Sequence, residues 1–463
     1  MSLALPLHAD TANLASEASS ANSPSDTADS AYRTVSASSG EALGFTLQHR
    51  FNGGEPVPTE TIKISPAQFI ENPLQAILKA LKQNFSKHLE KQTKPMQIDT
   101  ELEFLFSKEC FGQLPTVSIK TNINKDGVGK SEVVFPAYRH EVSEKCGKGL
   151  IDWKGLDGQF SFTDQFENLT MALNFAGSVQ QDEFAVSFGK ETTLSGTFDA
   201  DLMLTQMNWN FPSCQIREND FQFNWQAVTI NANLEKTPKG FEFYNNMDFK
   251  VGHVDWSEVG LKISLDGWAG KMVSELQNGV LNYTSPMKID KLVISGTEPK
   301  EALVLSHVGE LAFRRFDEEA LLALQTMEEQ LPEQEYKMLS IIMSDQFMAV
   351  APKLVAKSPE IALNRLTVTT PKGNLQGNLN IRLDSKKVTE LAKPALIKAL
   401  QAKINFTIGK ELQEQDVTGL QVNFIKAWLV DAGDGNYKFN AELKDSKLTV
   451  NGLPISLPIG SHH

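Results

Sequence analysis

Two periodicities divide the chain. From Gln97 to about Ser295 apolar residues recur at every second position, whereas the flanking stretches repeat at three- and four-residue steps. Phe221, Phe223 and Trp225 alternate with Gln222, Asn224 and Gln226. Phe241 and Phe243, then Met247, Phe249 and Val251, keep one phase, and Val259, Leu261, Ile263 and Leu265 alternate with Gly260, Lys262 and Ser264. Successive side chains on a strand point to opposite faces, so each run predicts a strand with one apolar face. The polar alternation predicts antiparallel sheet with a wet side, because parallel βαβ units bury both faces and read as continuous apolar runs. Turn signals at Asp157-Gly158, Lys239-Gly240 and Asn278-Gly279 punctuate the runs without the fixed repeat of a propeller or solenoid.

Helical spacing lies to either side. Between Pro66 and Lys91, Ile70, Leu74, Ile77, Leu78, Leu81, Phe85 and Leu89 form one apolar stripe, with Lys79, Lys82, Lys87 and Lys91 at other positions. Ser65 is placed to cap this helix and Pro66 to begin it. Packing on a sheet and lying on a membrane surface both suit such a helix. From Leu311 a second stripe runs through Phe313, Phe316, Leu321, Leu324, Met327 and Leu331. Pro332 starts a further helix carrying Tyr336, Leu339, Met343, Phe347, Val350 and Leu354, and Lys386 to Phe406 predicts another, divided at Pro394 and capped by Asp384 or Ser385.

Ser358 to Leu383 predicts a hairpin between these helices. Leu375, Leu379, Ile381 and Leu383 alternate with Gly377 in phase, and Pro371-Lys372-Gly373 supplies the turn. Ile361 and Leu363 share one phase while Leu366 and Val368 share the other, which predicts a bulge near Asn364-Arg365. The chain finishes in strands over Leu420–Val430, Tyr437–Leu443 and Leu448–Leu457, with a turn through Gly433-Asp434-Gly435-Asn436. The fold class expected is α+β: an extended, mostly antiparallel twisted sheet with a few amphipathic helices packed on it. Residues 1–31, rich in Ala and Ser and without periodicity, read as a disordered tail or tether. Residues 32–300 form a β-rich portion with one helix, residues 301–460 a helix-hairpin-helix with C-terminal strands, and 461–463 the remnant of a tag.

A chain of 463 residues can bury a large core. Its net charge of −13 argues against nucleic acid, whose phosphates call for a basic surface. No apolar run approaches the ~20 residues that span a bilayer, and the start lacks the basic and apolar regions of a signal peptide. The cysteines Cys110, Cys146 and Cys214 are too few for a zinc cluster or a disulfide-rich domain. Thr116–Ile123 and Glu132–Tyr138 flank a turn at Asp126-Gly127, and extending that register outward brings Cys110 near Cys146. The pair reads either as a disulfide or, if Pro115 and Pro136 end the pairing early, as two buried thiols.

Candidate chemistry changes the picture little. Gly129-Lys130-Ser131 suggests a phosphate loop, yet Asn124 stands where its first glycine belongs and a strand follows where a helix is needed. Asp431-Ala432-Gly433-Asp434-Gly435 lacks the ligand spacing and terminal Glu of a calcium loop and reads as a turn. His49, His88, His140, His253 and His307 are isolated, with no HExxH pair, and no GxSxG elbow occurs. No catalytic residue, cofactor site or metal site is assigned, and the protein is expected not to be an enzyme. The alternating aromatics read either as core or as a groove for acyl chains.

Lys357-Ser358-Pro359-Glu360-Ile361, Thr370-Pro371-Lys372-Gly373, Asn436-Tyr437 and Leu443-Lys444-Asp445-Ser446-Lys447-Leu448-Thr449-Val450-Asn451-Gly452 resemble the C-terminal half of the YdgA-like family, bacterial envelope proteins grouped under a domain of unknown function. Upstream, as far as Tyr32, the resemblance rests on strand pattern. Its motifs are turns, and Ser446 stands where glycine is common. The resemblance implies a periplasmic protein tethered to the inner membrane by an N-terminal helix, which this chain lacks; no catalytic residues come with it. Two functions are expected from these readings. One is a non-enzymatic envelope protein that binds lipid or another hydrophobic ligand along a sheet groove. The other is an envelope scaffold or interaction module, acting as a homodimer through sheet edges or the helices bearing Met327, Met338, Met343 and Met348.

Overall fold

The computed structural model describes residues 43–64, 73–89, 93–146, 148–163, 168–182, 184–296, 302–330, 345–388, 393–414 and 428–455. Among them are 22 strands, with every registered pairing antiparallel. The expected α+β class is therefore corrected to a mostly antiparallel β protein. The reason is visible in two stretches read as helical, Leu311 to Phe316 and Leu400 to Phe406, which are strand. Leu311-x-Phe313 and Leu400-x-Ala402-x-Ile404-x-Phe406 satisfy a two-residue period, and long partner strands on both sides supply the hydrogen bonds that decide between the periods.

The chain divides into two units, with the boundary between Ile230 and Asn231. The first contains β1 (Leu43–Phe51), β2 (Glu60–Ile64), β3 (Met96–Phe104), β4 (Val117–Ile123), β5 (Gly129–Phe135), β6 (Tyr138–Val142), β7 (Gly149–Phe162), β8 (Leu169–Gln181), β9 (Phe184–Phe198), β10 (Leu204–Glu218) and most of β11 (Phe221–Lys236). Pairing runs β2-β1-β3-β4-β5-β7-β8-β9-β10. Strand β7 is long enough to hold two partners on one edge, β5 opposite Leu156–Phe162 and β6 opposite Gly149–Trp153. Among the described residues this unit has two α-helices, α1 (Pro73–Leu89) and the single turn α2 (Lys108–Phe111). The expected cap at Ser65-Pro66 lies outside the described residues.

Helix α1 is apolar on one side and covers one end of the sheet. Its Leu78 and Phe85 are buried with Ile98, Ile123, Phe162, Leu169, Met171 and Phe198, while Ile77 and Leu81 pack on a second cluster of Phe45, Leu47, Leu102, Ile119 and Val133. Lys82 donates to the Ala200 carbonyl at 2.6 Å, which ties the helix to the β9–β10 turn. All these sheet residues share one face, since they fall at alternate positions along their strands.

The second unit is also a meander in chain order. It comprises β12 (Glu242–Glu258), β13 (Leu261–Gln277), β14 (Val280–Gly296), β15 (Leu303–Asp317), β16 (Glu360–Thr370), β17 (Gly373–Leu383), β18 (Leu400–Gly409), β19 (Val430–Asp431), β20 (Asn436–Lys444), β21 (Lys447–Val450) and β22 (Leu453–Ile455). Strand β20 pairs both β18 and β19. Its helices among the described residues are α3 (Glu318–Gln330), α4 (Asp345–Ala356), α5 (Lys393–Ala399) and α6 (Lys410–Glu414). The expected helix start at Pro332 and the strand over 420–427 fall outside the described residues. At the β16–β17 hairpin, Leu363 faces Leu379 and Leu366 faces Gly377, so Asn364 and Arg365 together oppose Asn378 in a bulge.

Strands β7 to β15 run for 13 to 17 residues, well beyond the usual ~5–6. Register shifts interrupt them at Trp153/Gly155, Phe175/Gly177, Asn210/Cys214 and Ile289/Leu292. Each extra residue bends its strand and returns the apolar side chains to the same face. Asp157-Gly158, read as a turn, lies inside β7, where Gly158 makes room for Leu173: a Cβ there would sit 2.6 Å from its Cδ2. Val259, read as strand, is an exposed turn residue between β12 and β13.

Candidate functional site

Alternation places at least one aromatic ring from each of six strands on the core-bearing face, beyond the end that α1 covers. Phe135 of β5 lies 5.9 Å from Trp153 of β7, which lies 6.1 Å from Phe175 of β8. The line continues through Phe188 of β9 at 5.6 Å, Phe211 of β10 at 6.4 Å and Trp225 of β11 at 6.1 Å. Every one of these rings is half-buried. On β7, β8, β9 and β10 they stand six to ten residues along the strand from Phe162, Leu169, Phe198 and Leu204, the residues packed beneath α1. The stripe crosses six strands at right angles to their direction, and five interstrand steps span about 24 Å. That exceeds the ~15 Å hydrocarbon depth of one bilayer leaflet.

A compact turn closes one end. Tyr138 pairs directly with Trp153 and His140 with Ile151, so Tyr138 and His140 share the face of the stripe. Helix α2 folds onto them: the Tyr138 hydroxyl donates to the Phe111 carbonyl, and Phe111 packs on Phe106 at 5.3 Å, which stacks on Phe104 at 5.5 Å. Gly112, at φ +63°, rests on the His140 ring, and a Cβ there would meet its Nδ1 at 2.8 Å. Cys110 of α2 is joined by a disulfide to Cys146, with Cα atoms 5.4 Å apart. The strand-ladder route to this pair is corrected: β4 and β5 end at Val117 and Phe135, and both cysteines lie on short helical turns beyond them. Cys214 is free and buried, and burial pushes its thiol up to about 11, which makes it a poor nucleophile.

His49, His88 and His253 have structural partners. His49 continues the inward phase of Phe45 and Leu47 and is 1% exposed. Its Nε2 donates to Asn84 Oδ1 at 2.5 Å and its Nδ1 accepts from the Thr100 hydroxyl at 2.8 Å, because the Asn84 amide nitrogen is committed to Glu60 at 2.8 Å. Lys87 at 2.9 Å and His88 at 3.1 Å complete the shell of Glu60, and the hydrogen bond from Lys87 holds that carboxyl low. Burial lowers the affinity of His49 for a proton. This network joins α1 to β1, β2 and β3, and the phase of His49 with Phe45 and Leu47 is its signal in the sequence. His253 lies between Asp255 at 2.9 Å and Asp266 at 2.6 Å, and hydrogen bonds to both raise its pKa. Both its nitrogens are engaged by carboxylates.

Gly129-Lys130-Ser131 begins β5 after a hairpin turn, and Ala432 to Gly435 forms the turn between β19 and β20, with Lys410 held by Asp431 at 2.5 Å. Among the described residues no group of His, Cys, Asp and Glu is arranged to hold a metal, and no helix is long and apolar enough to cross a membrane. A hollow of about 510 Å³ takes three successive residues from each of β5, β7, β8 and β9, around Val133, Gly158, Leu173 and Leu194. The aromatic stripe and its closed end are thus the candidate site.

The family described as bacterial protein of unknown function (DUF945) matches residues 96–458, which includes the stripe, the disulfide and the hairpin. No curated protein and no solved structure matches the chain.

Proposed function

The chain belongs to DUF945, a bacterial family of unknown function, and from that premise we propose that it is a non-enzymatic envelope protein that holds the acyl chain of a lipid along its aromatic stripe. The observation that carries this reading is the line from Phe135 to Trp225: six half-buried rings on six strands, on the side of the sheet that elsewhere forms the core. Rings present flat apolar area with little side-chain entropy to lose. Each methylene buried on them contributes about 0.8 kcal/mol, so ten contribute about 8 kcal/mol. That offsets the lower part of the ~4–15 kcal/mol cost of association. Periplasmic location is part of the proposal, and the Cys110–Cys146 bond supports it, because structural disulfides persist in oxidising compartments.

Solvent extraction of the purified protein followed by mass spectrometry tests the reading. Copurified lipid, or saturable uptake of palmitate by delipidated protein with a change in tryptophan emission, is the expected result. Protein that carries no lipid and takes up none refutes it.

A further inference from the structure

The closed end of the stripe holds two polar atoms whose chemistry is unspent. His140 Nε2 and Trp153 Nε1 are both buried, and neither has a hydrogen-bond partner among the described residues. They lie on one face of neighbouring strands, since Trp153 faces Tyr138 and His140 follows two residues later. Nearby groups are already committed. The Tyr138 hydroxyl donates to Phe111, and Gly112 sits against the Nδ1–Cε1 edge of the His140 ring. A buried donor without an acceptor costs about 1–3 kcal/mol, and two on one face of adjacent strands, two residues apart in register, point to a polar group that the chain itself does not supply at this end of the stripe. An indole nitrogen only donates, and imidazole Nε2 donates in one of its neutral tautomers, so the missing group is an oxygen acceptor.

We propose that His140 and Trp153 bind the carbonyl-type oxygen at the head of the acyl ligand, a carboxylate or an ester carbonyl, while its chain lies along Phe175, Phe188 and Phe211. The assignment rests on the acyl-binding reading and gives it a polarity: head under the disulfide-closed turn, tail toward β11. Trp209 and Trp225 toward the other end also carry unpartnered buried indole nitrogens, but neither of their strands carries a histidine, so the pairing of Trp153 with His140 and not the indole N–H alone sets this end apart. The Cys110–Cys146 bond pins the turn that holds His140 in place.

The test compares full-length wild type with Trp153→Phe, His140→Phe and His140→Gln by calorimetric titration of palmitate, methyl palmitate and hexadecane. Trp153→Phe keeps a ring and removes only the N–H; His140→Gln keeps a donor and controls for damage to folding. Loss of a hydrogen bond to the head is expected to weaken palmitate binding about ten- to a hundredfold in the two Phe variants. His140→Gln is expected to retain part of the affinity, with hexadecane unchanged throughout. An equal loss for methyl palmitate assigns the carbonyl shared by acids and esters, whereas a loss for palmitate alone assigns the carboxylate. Equal weakening of all three probes, or of none, overturns the head site and leaves the acyl reading standing. Failure of wild type to bind any probe refutes the acyl reading itself, and the head site with it.

Discussion

Replacing Asn84 by Ala isolates what the buried network beneath α1 contributes. The substitution removes the acceptor of the His49 Nε2 proton and the donor to Glu60, in a site where His49 is 1% and Asn84 6% exposed. Stranding a buried imidazole N–H costs about 1–3 kcal/mol. The bond to Glu60 adds less, because that carboxylate reaches water. A total of about 2–3 kcal/mol lowers the melting temperature by roughly 4–12 °C for a unit of this size. The network also fixes the sign of a pH effect. Burial depresses the pKa of His49, so the unfolded chain takes up a proton near pH 6.5 that the folded chain refuses. Stability is therefore complete above pH 6.5 and falls as the pH drops toward the folded-state pKa, by up to about 1.4 kcal/mol per pH unit. His49→Leu keeps the apolar phase of β1 and removes the titrating group. Urea unfolding of wild type, Asn84→Ala and His49→Leu between pH 5 and 7.5 reads both effects. A slope in His49→Leu as steep as in wild type, or an Asn84→Ala protein as stable as wild type, refutes the reasoning.

Three further outcomes follow from packing and charge. Phe85→Ala, which empties a buried site between α1 and the sheet, is expected to cost about 3–5 kcal/mol in urea unfolding, with loss of α1 protection in hydrogen exchange. Breaking the disulfide by Cys110→Ser with Cys146→Ser opens a closure across 36 residues, and loop entropy predicts a loss of about 4 kcal/mol at 25 °C, measured by calorimetry against the oxidised parent. His253 has a raised pKa from Asp255 and Asp266, so its contribution is full below about pH 6.5 and disappears as the pH rises through the folded-state pKa. The His253 NMR titration is expected to shift downward in Asp266→Asn, and an unchanged midpoint counts against the pairing.

The sequence disclosed the fold unevenly, for reasons that are physical. Hairpins closed by a glycine turn with one apolar face, such as β16–β17, were legible down to the bulge at Asn364-Arg365, because a phase change can mean little else. Leu311 to Phe316 and Leu400 to Phe406 misled because short apolar runs satisfy both periods, and long-range pairing decides between them. The Asp157-Gly158 turn failed for a related reason: a glycine inside a 14-residue strand clears space for a neighbour's side chain. For the candidate site, aromatic alternation was visible strand by strand. Its alignment into one stripe was not, since that depends on bulges at Trp153, Phe175 and Asn210 that shift each register. Tyr138 and His140 carried a faint signal, an in-phase pair ahead of Val142, but their meeting with Trp153 depends on β7 taking a second partner on one edge.

The lone thiol at Cys214 imposes an order on maturation. Three cysteines allow three pairings, and only one is native. Once β10 is seated, a thiol with a pKa near 11 is ionised in roughly one molecule in ten thousand at neutral pH, too seldom to attack the native bond. Before that the same group is an ordinary competitor for either partner. Cys146 precedes it by 68 residues, so as the chain emerges amino-terminus first Cys110 and Cys146 meet while their rival is still to come. The spacing of the cysteines thus acts as a timetable, and refolding the reduced full-length chain, where all three thiols start together, should scramble more than synthesis does.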